Sequence, residues 1–441
     1  MPEQSLKVGM VSLGCAKNLV DAEHMLGLLK GAGYELTNQQ AEADVLVINT
    51  CTFIGPAKQE SVDTILELAE MKKRGRCRAL VVAGCMAQRY PADILKELPE
   101  VDAVIGTGDF PQIAQVVERV LGGDRVQQVG KAAYQYDAEL PRVPTRPGLS
   151  GYLKISEGCD HDCAFCIIPR VRGEHRSRPF DALEHEARQM VAAGVRELNL
   201  IAQDSTAYGM DRDGRRQLPE LLRRLNGIDD LAWMRILYAY PTLVDGHLIE
   251  AMATLPKVAK YLDIPLQHAS DRVLHEMRRG GNRKLYEDLL RRLRAAVPDI
   301  TLRSTFIVGF PGETEADFEE LLGFLRQARF DNVGVFAYSQ EEDTTAGERP
   351  DQIPDEVKQS RFQRAMAVQQ EIAFEAARRW VGQTVPVLVE SVRGKRVTGR
   401  IAAQAPDIDG VTLLRGEAFT PQTVVTARIT GTKGYDLVGE V

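Results

Sequence analysis

Cys159, Cys163 and Cys166 stand at C-x3-C-x2-C spacing in the stretch EGCDHDCAFCII (157–168), and no fourth cysteine follows. Thiolate sulfur is a soft ligand suited to zinc or to iron–sulfur clusters. Three thiolates leave a site that wants four ligands one short. His161, inside the loop, would complete a Cys3His zinc site. Structural zinc sites, however, usually pair two ligands with a distant second pair, and here every ligand is local. The alternative is a [4Fe–4S] cluster held by three cysteines, with one iron left open to a small molecule.

Three of the four remaining cysteines repeat this arithmetic. Cys15 ends VSLGC, Cys51 ends VINTC and Cys85 ends VVAGC. Each follows a β-type run by one or two residues, so parallel pairing would bring all three to one carboxyl edge. Open α/β sheets bind ligands at that edge, and helix N-termini there favour anions such as thiolates. Cys77 precedes its strand and belongs to the opposite edge. The plain reading is three small buried hydrophobes; the chemical one is a second three-cysteine cluster.

The elements that must carry these residues form an α/β chain in three parts. Short apolar runs at 7–14, 45–50, 79–84 and 101–106 alternate with amphipathic helices, which predicts a doubly wound parallel sheet. Residues 122–148 lose periodicity and read as a linker. Six further strands are expected at 152–156, 197–203, 233–239, 261–266, 301–308 and 332–339, with helical patterns between them. Six units rather than eight suit a partial (β/α)6 barrel, and Cys159–Cys166 follow its first strand, at the end where such barrels keep their active sites. After a long helix (355–382), five short β runs with glycine turns predict a small all-β barrel. The expected boundaries are 1–124, a linker at 125–148, then 149–376 and 377–441.

Other polar residues fall at expected strand ends. Gln203 and Asp204 end the second barrel strand, Gln267 and His268 the fourth, and Arg303 lies within the fifth, where its guanidinium suits a carboxylate. Ordinary barrel loops are polar too. GFPGET (309–314) is a glycine turn in which Thr314 and Asp317 mark a helix start, so its role is structural or a cofactor contact. Arg170, Arg172, Arg176 and Arg178 follow the cysteine loop, as a solvated segment or as a grip on cofactor or substrate.

The chain has 441 residues, 44% hydrophobic and 27% charged, with a net charge of −7, which argues against a general nucleic-acid-coating protein. No run approaches the ~18–20 apolar residues of a membrane span, and MPEQSLKVGM lacks a signal-peptide pattern, so no membrane and a cytoplasmic location are expected. An odd set of seven cysteines points to metal binding or catalysis rather than disulfides.

With these motifs in this order, the chain resembles the methylthiotransferase family of radical S-adenosylmethionine (SAM) enzymes along nearly its whole length. The resemblance implies an N-terminal methylthiotransferase domain, a radical SAM domain and a C-terminal TRAM domain. It implies two [4Fe–4S] clusters, with Cys159, Cys163 and Cys166 holding the radical-generating one and Cys15, Cys51 and Cys85 the auxiliary one. SAM is the implied cofactor, used twice, with Phe165, Gln203 and Arg303 as candidate contacts; no acid or base is named.

SLGCAKNLVDAE, YLKISEGC, IIPRVRGEHRSRP, YLDIPLQHAS, LRSTFIVGFPGETEADF and APDIDGV look like the branch that modifies an aspartate of ribosomal protein S12. The nearest alternative is the branch that modifies adenosine in transfer RNA. Residues 381–441 carry seven Lys/Arg against six Asp/Glu, with Phe419 and Tyr435 the only Phe, Tyr or Trp, so this module suits a protein partner better than RNA. The implied partners are S12 and an electron donor such as flavodoxin or ferredoxin; the sulfur donor is left open.

Overall fold

The computed structural model describes residues 5–441 except 135–139, 146–147, 395 and 417–418. Six strands form the first sheet: β1 (Lys7–Ser12), β2 (Glu35–Thr37), β3 (Val45–Thr50), β4 (Ala79–Gly84), β5 (Ala103–Ile105) and β6 (Val126–Gln128). All pair in parallel, in the order β2-β1-β3-β4-β5-β6. β3 and β4 are buried at every residue, as expected of strands covered on both faces. Helices Ala16–Gly31 and Ile113–Leu121 pack on one face through Ala22, Met25, Ile113 and Val117, and Gly55–Arg74 packs on the other through Ile65 and Leu68. The segment read as a linker begins differently: Val126–Gln128 adds the sixth strand, paired with β5. Val126 is buried, but three residues are too few to show a period. Tyr34 through Thr37 likewise conceals the short edge strand β2.

The second sheet contains β7 (Ser150–Lys154), β10 (Glu197–Ile201), β11 (Trp233–Ile236), β12 (Val258–Asp263), β13 (Thr301–Val308) and β14 (Asn332–Ala337). Between β7 and β10 lie the two-residue strands β8 (Ser156–Glu157) and β9 (Arg176–Ser177), which pair with each other. The six longer strands run in parallel, adjacent in chain order, with helices following each; this is the expected partial barrel. Strands β15 (Thr384–Arg393), β16 (Arg396–Arg400), β17 (Thr412–Arg415), β18 (Thr423–Lys433) and β19 (Asp436–Glu440) close the C-terminal barrel.

One buried cluster draws on all three parts: Val20 from the first, Ile201, Trp233, Leu237 and Tyr261 from the second, and Leu388 and Ala405 from the third. Among the described residues no helix is long and apolar enough to cross a membrane.

Candidate cluster and cofactor site

The first cysteine trio lies where the first sheet reverses its strand order. β1 sits between β2 and β3, and the crevice beyond the carboxyl ends at such a reversal is the ligand site of open α/β sheets. Cys15 follows β1 at the start of helix Ala16–Gly31, Cys51 follows β3, and Cys85 opens the helix after β4. Gly14 lets the first two approach. Its φ is +83°, and a Cβ there would lie 2.8 Å from Cys51 Cβ and 2.9 Å from its Sγ. Asn18 laces the edge together: its Nδ2 donates to Thr50 O at 2.8 Å, and its Oδ1 accepts from Cys85 Sγ at 3.6 Å.

Cys15 reaches solvent; desolvation by the surrounding loops acts to push its thiol up, but the cations Lys17 and Arg172 outweigh it and hold the thiol below its ordinary value. Burial raises Cys51, and pushes Cys85 up to about 12, with the charge of Cys15 adding to both. Cys77 stands apart at the amino end of β4, its Sγ donating to Ala79 O at 3.2 Å.

The second trio lies on the excursion between β8 and β9. Cys159 N donates to Gly173 O at 3.0 Å, Cys166 N to Cys163 O at 3.0 Å, and Ala164 N to Met277 O at 2.9 Å. Gly158 has φ +81°, and a Cβ there would lie 1.9 Å from Glu174 O; only glycine allows the chain to turn there. Burial pushes the Cys159 thiol up to about 11 and Cys166 up to about 12, and Cys163 adds to both.

His161, the residue a Cys3His site would use, is engaged elsewhere. Its Nε2 lies 2.6 Å from Asp204 Oδ2 and its ring stacks on Tyr240 at 3.6 Å. Among the described residues no three His, Cys, Asp or Glu side chains converge as a single ion would require. A [4Fe–4S] cluster makes no such demand, because each thiolate takes its own iron at a separate corner. The soft thiolate donors of each trio suit that group in kind.

Around the second trio, Gln203 Nε2 donates to Glu157 Oε1 at 2.5 Å. Among the described residues, Gln203 Oε1 and Ser156 Oγ are buried without a hydrogen-bond partner, so polar capacity remains for a cofactor beside the cysteine loop. Phe165 packs against Ala164, Val273 and Phe310. Arg303 is partly occupied: Nη1 donates to Asp263 Oδ1 at 2.8 Å and Nε lies 3.8 Å from Asp409 Oδ1 of the C-terminal barrel. Gln267 adopts φ +74° and bridges to β13 by its backbone. His268 is fully buried, its Nδ1 accepting from Ser270 N at 3.0 Å.

In GFPGET, Glu313 Oε2 accepts from Gly309 N at 2.7 Å and Phe310 N at 3.1 Å, and Thr314 and Asp317 form a capping box; its structural reading carries these contacts. The four arginines after the loop part company. Arg170 pairs with Asp343 at 3.3 Å on the surface, Arg176 donates to backbone carbonyls, and Arg178 pairs with Glu186 at 2.6 Å. Arg172 alone turns toward the first trio.

Two residues of this site carry no signal in sequence spacing. Arg279 Nη1 donates to Cys163 Sγ at 3.6 Å, and its guanidinium lies 3.9 Å from the centre of the Tyr240 ring. Only the backbone path through MRRGGNR shows that this arginine, among the three in that stretch, reaches a cysteine.

Family models match three segments: Uncharacterized protein family UPF0004 at residues 7–106, the Radical SAM superfamily at 153–325 and the TRAM domain at 381–441. Ribosomal protein uS12 methylthiotransferase RimO from Symbiobacterium thermophilum is 54% identical over 441 residues, covering 99% of this chain and 91% of that protein. The protein of the same name from Pelotomaculum thermopropionicum is 51% identical over 439 residues, covering 99% of each. The radical S-adenosylmethionine methyltransferase TsrM from Kitasatospora setae, solved with cobalamin and a [4Fe–4S] cluster bound, has a similar fold: TM-score 0.59 at 15% identity, over 78% of this chain and 77% of that one. The chain belongs to the ribosomal protein uS12 methylthiotransferase RimO family of radical SAM enzymes.

Proposed function

We propose that this enzyme attaches a methylthio group to the β-carbon of an aspartate of ribosomal protein S12, using two [4Fe–4S] clusters and two molecules of SAM. The observation that carries the reading is the pair of cysteine trios. Each lies at a strand's carboxyl end on one of two adjoining α/β domains, and each offers three thiols where a cubane has four corners. Cys159, Cys163 and Cys166 would hold the radical-generating cluster, and Cys15, Cys51 and Cys85 the auxiliary one. When bound, these groups and SAM supply an electron, a carbon-centred radical able to take hydrogen from an unactivated carbon, a sulfur and a methyl group.

The chain's own residues do the rest. Gly14 and Gly158 allow the cysteine loops their turns, and Asn18 holds the ends of β1 and β3 against Cys85. Arg279 places positive charge beside Cys163, where it would offset the negative charge of a bound cluster. Gln203 and Ser156 offer unpaired polar atoms beside the loop, and Phe165 an apolar wall, for SAM. Arg303, held through Nη1 by Asp263, would offer the rest of its fork to SAM or to the target carboxylate. The electron would come from a flavodoxin or ferredoxin, in the cytoplasm.

The test is anaerobic reconstitution followed by separate incubations with S12 and with transfer RNA under reductant and SAM. A methylthio group replacing hydrogen on an S12 aspartate is the expected product. Modification of the RNA alone would overturn the S12 assignment.

A further inference from the structure

Between the two cysteine sites lies a buried group of charges. Arg172, at the end of helix Ile168–Arg172, is 2% exposed. Its side chain leaves its own domain: Nη1 donates to Asp21 Oδ2 at 2.7 Å, and Nη2 donates to Asn18 Oδ1. Both acceptors lie on helix Ala16–Gly31, which starts directly after Cys15. Nη1 also donates to Glu157 Oε2 at 3.1 Å, just ahead of Cys159. Lys154 donates to the same Asp21 and Glu157.

Three further contacts fasten this point to both sites. Asn18 Oδ1 is shared between Arg172 and Cys85 Sγ. The carbonyl of Gly173 receives Cys159 N at 3.0 Å. Thr107 Oγ1 of the first domain donates to Val171 O at 2.6 Å. A single residue thus joins the loops of both trios, by its side chain on one side and its adjoining backbone on the other.

We infer that Arg172 is a positioning residue which holds the two cluster sites in register and places a fixed positive charge against the auxiliary one. The inference rests on the proposed two-cluster reading. A three-thiolate [4Fe–4S] site is anionic, and a buried guanidinium beside it loses less hydration than an ammonium would and keeps its proton where a lysine can lose it. Asp21 and Glu157 aim the fork; a lysine, with one nitrogen, cannot reach Asp21, Asn18 and Glu157 in the same geometry.

The experiment compares the reconstituted full-length wild type with Arg172→Gln and Arg172→Lys. Two quantities are read: the reduction potential of each cluster by spectroscopically monitored titration, and methylthio product formed per 5′-deoxyadenosine released. In Arg172→Gln the auxiliary potential should move negative, because reduction adds charge that the arginine no longer offsets. The Cys159/Cys163/Cys166 cluster should move less, and product per 5′-deoxyadenosine should fall by about tenfold or more through lost alignment.

Arg172→Lys should keep the auxiliary potential near that of wild type yet still lose product per 5′-deoxyadenosine. That variant retains a buried cation and so serves even if Arg172→Gln does not fold. Wild-type product per 5′-deoxyadenosine in Arg172→Lys overturns the inference, as does an unmoved auxiliary potential in Arg172→Gln. A wild type that takes up only one cluster overturns instead the two-cluster reading beneath it.

Discussion

Arg279 and Cys163 are far apart in sequence, yet the Nη1 of one lies 3.6 Å from the Sγ of the other. Arg279 is fixed from two more directions, by Nη2 donating to Pro265 O at 2.6 Å and by the Tyr240 ring beneath it. A hydrogen bond and a positive charge at a ligand sulfur favour the reduced cluster. Arg279→Gln should therefore lower the potential of the cluster on Cys159, Cys163 and Cys166 and slow 5′-deoxyadenosine release at fixed reductant, with Arg279→Lys recovering part of both. Potentiometric titration checks this; an unchanged potential would show the contact to be mere packing.

Glycines differ sharply by place. Gly158→Ala puts a Cβ 1.9 Å from Glu174 O at φ +81°, so it should cost at least about 2 kcal/mol and strip iron from the central loop. Gly323, on helix Glu315–Ala328, has open space around it; Gly323→Ala should stabilise by about 0.5–1 kcal/mol. Denaturant unfolding of the two variants compares them directly.

Glu197 is fully buried between two arginines, 2.9 Å from Arg235 Nη2 and 2.5 Å from Arg400 Nη2, and so ties β10 and β11 to the C-terminal barrel. Glu197→Gln leaves Arg235 without its paired anion and Arg400 with Glu390 alone, and should cost about 3–5 kcal/mol. Loss of the C-terminal barrel's protection in hydrogen exchange should accompany it.

Much of this architecture is legible in the residues themselves. β3 and β4 announce a two-sided sheet because burial on both faces demands continuous apolar runs, and the five short β runs after residue 383, set apart by glycine turns, announce a small closed barrel. β2 and β6 escape because three residues hold no period. The cysteine trios are legible because each follows a strand end. The partners of Arg303 and Arg172 are not, since they depend on which surfaces meet once the domains have packed, and those of Arg279 depend on how the loops of the central barrel fold over one another; the RVRGEHRSR run reads as one basic patch, while folding sends its members to four separate tasks.

Stability should respond to acid through Glu186. Its carboxylate lies 2.7 Å from Arg142 Nη1 and 2.6 Å from Arg178 Nη2. Burial alone would raise its pKa, but Arg178 and Arg142 outweigh that and bring it down to about 2. A carboxylate held below its unfolded value stabilises the fold above that value and loses its contribution as pH falls toward the folded one. The contribution, roughly 3 kcal/mol at neutral pH, should fade below about pH 5. Urea unfolding of wild type and Glu186→Gln should show their difference widest at pH 7 and narrowing with acid.

The most direct measurement is iron and acid-labile sulfide in the reconstituted wild type, in the Cys15→Ala/Cys51→Ala/Cys85→Ala variant, and in the Cys159→Ala/Cys163→Ala/Cys166→Ala variant. Each triple variant should keep half the wild-type iron, and only the first should still release 5′-deoxyadenosine from SAM, without forming methylthio product. Full iron in that first variant would contradict the account, because the N-terminal thiols would then hold no cluster.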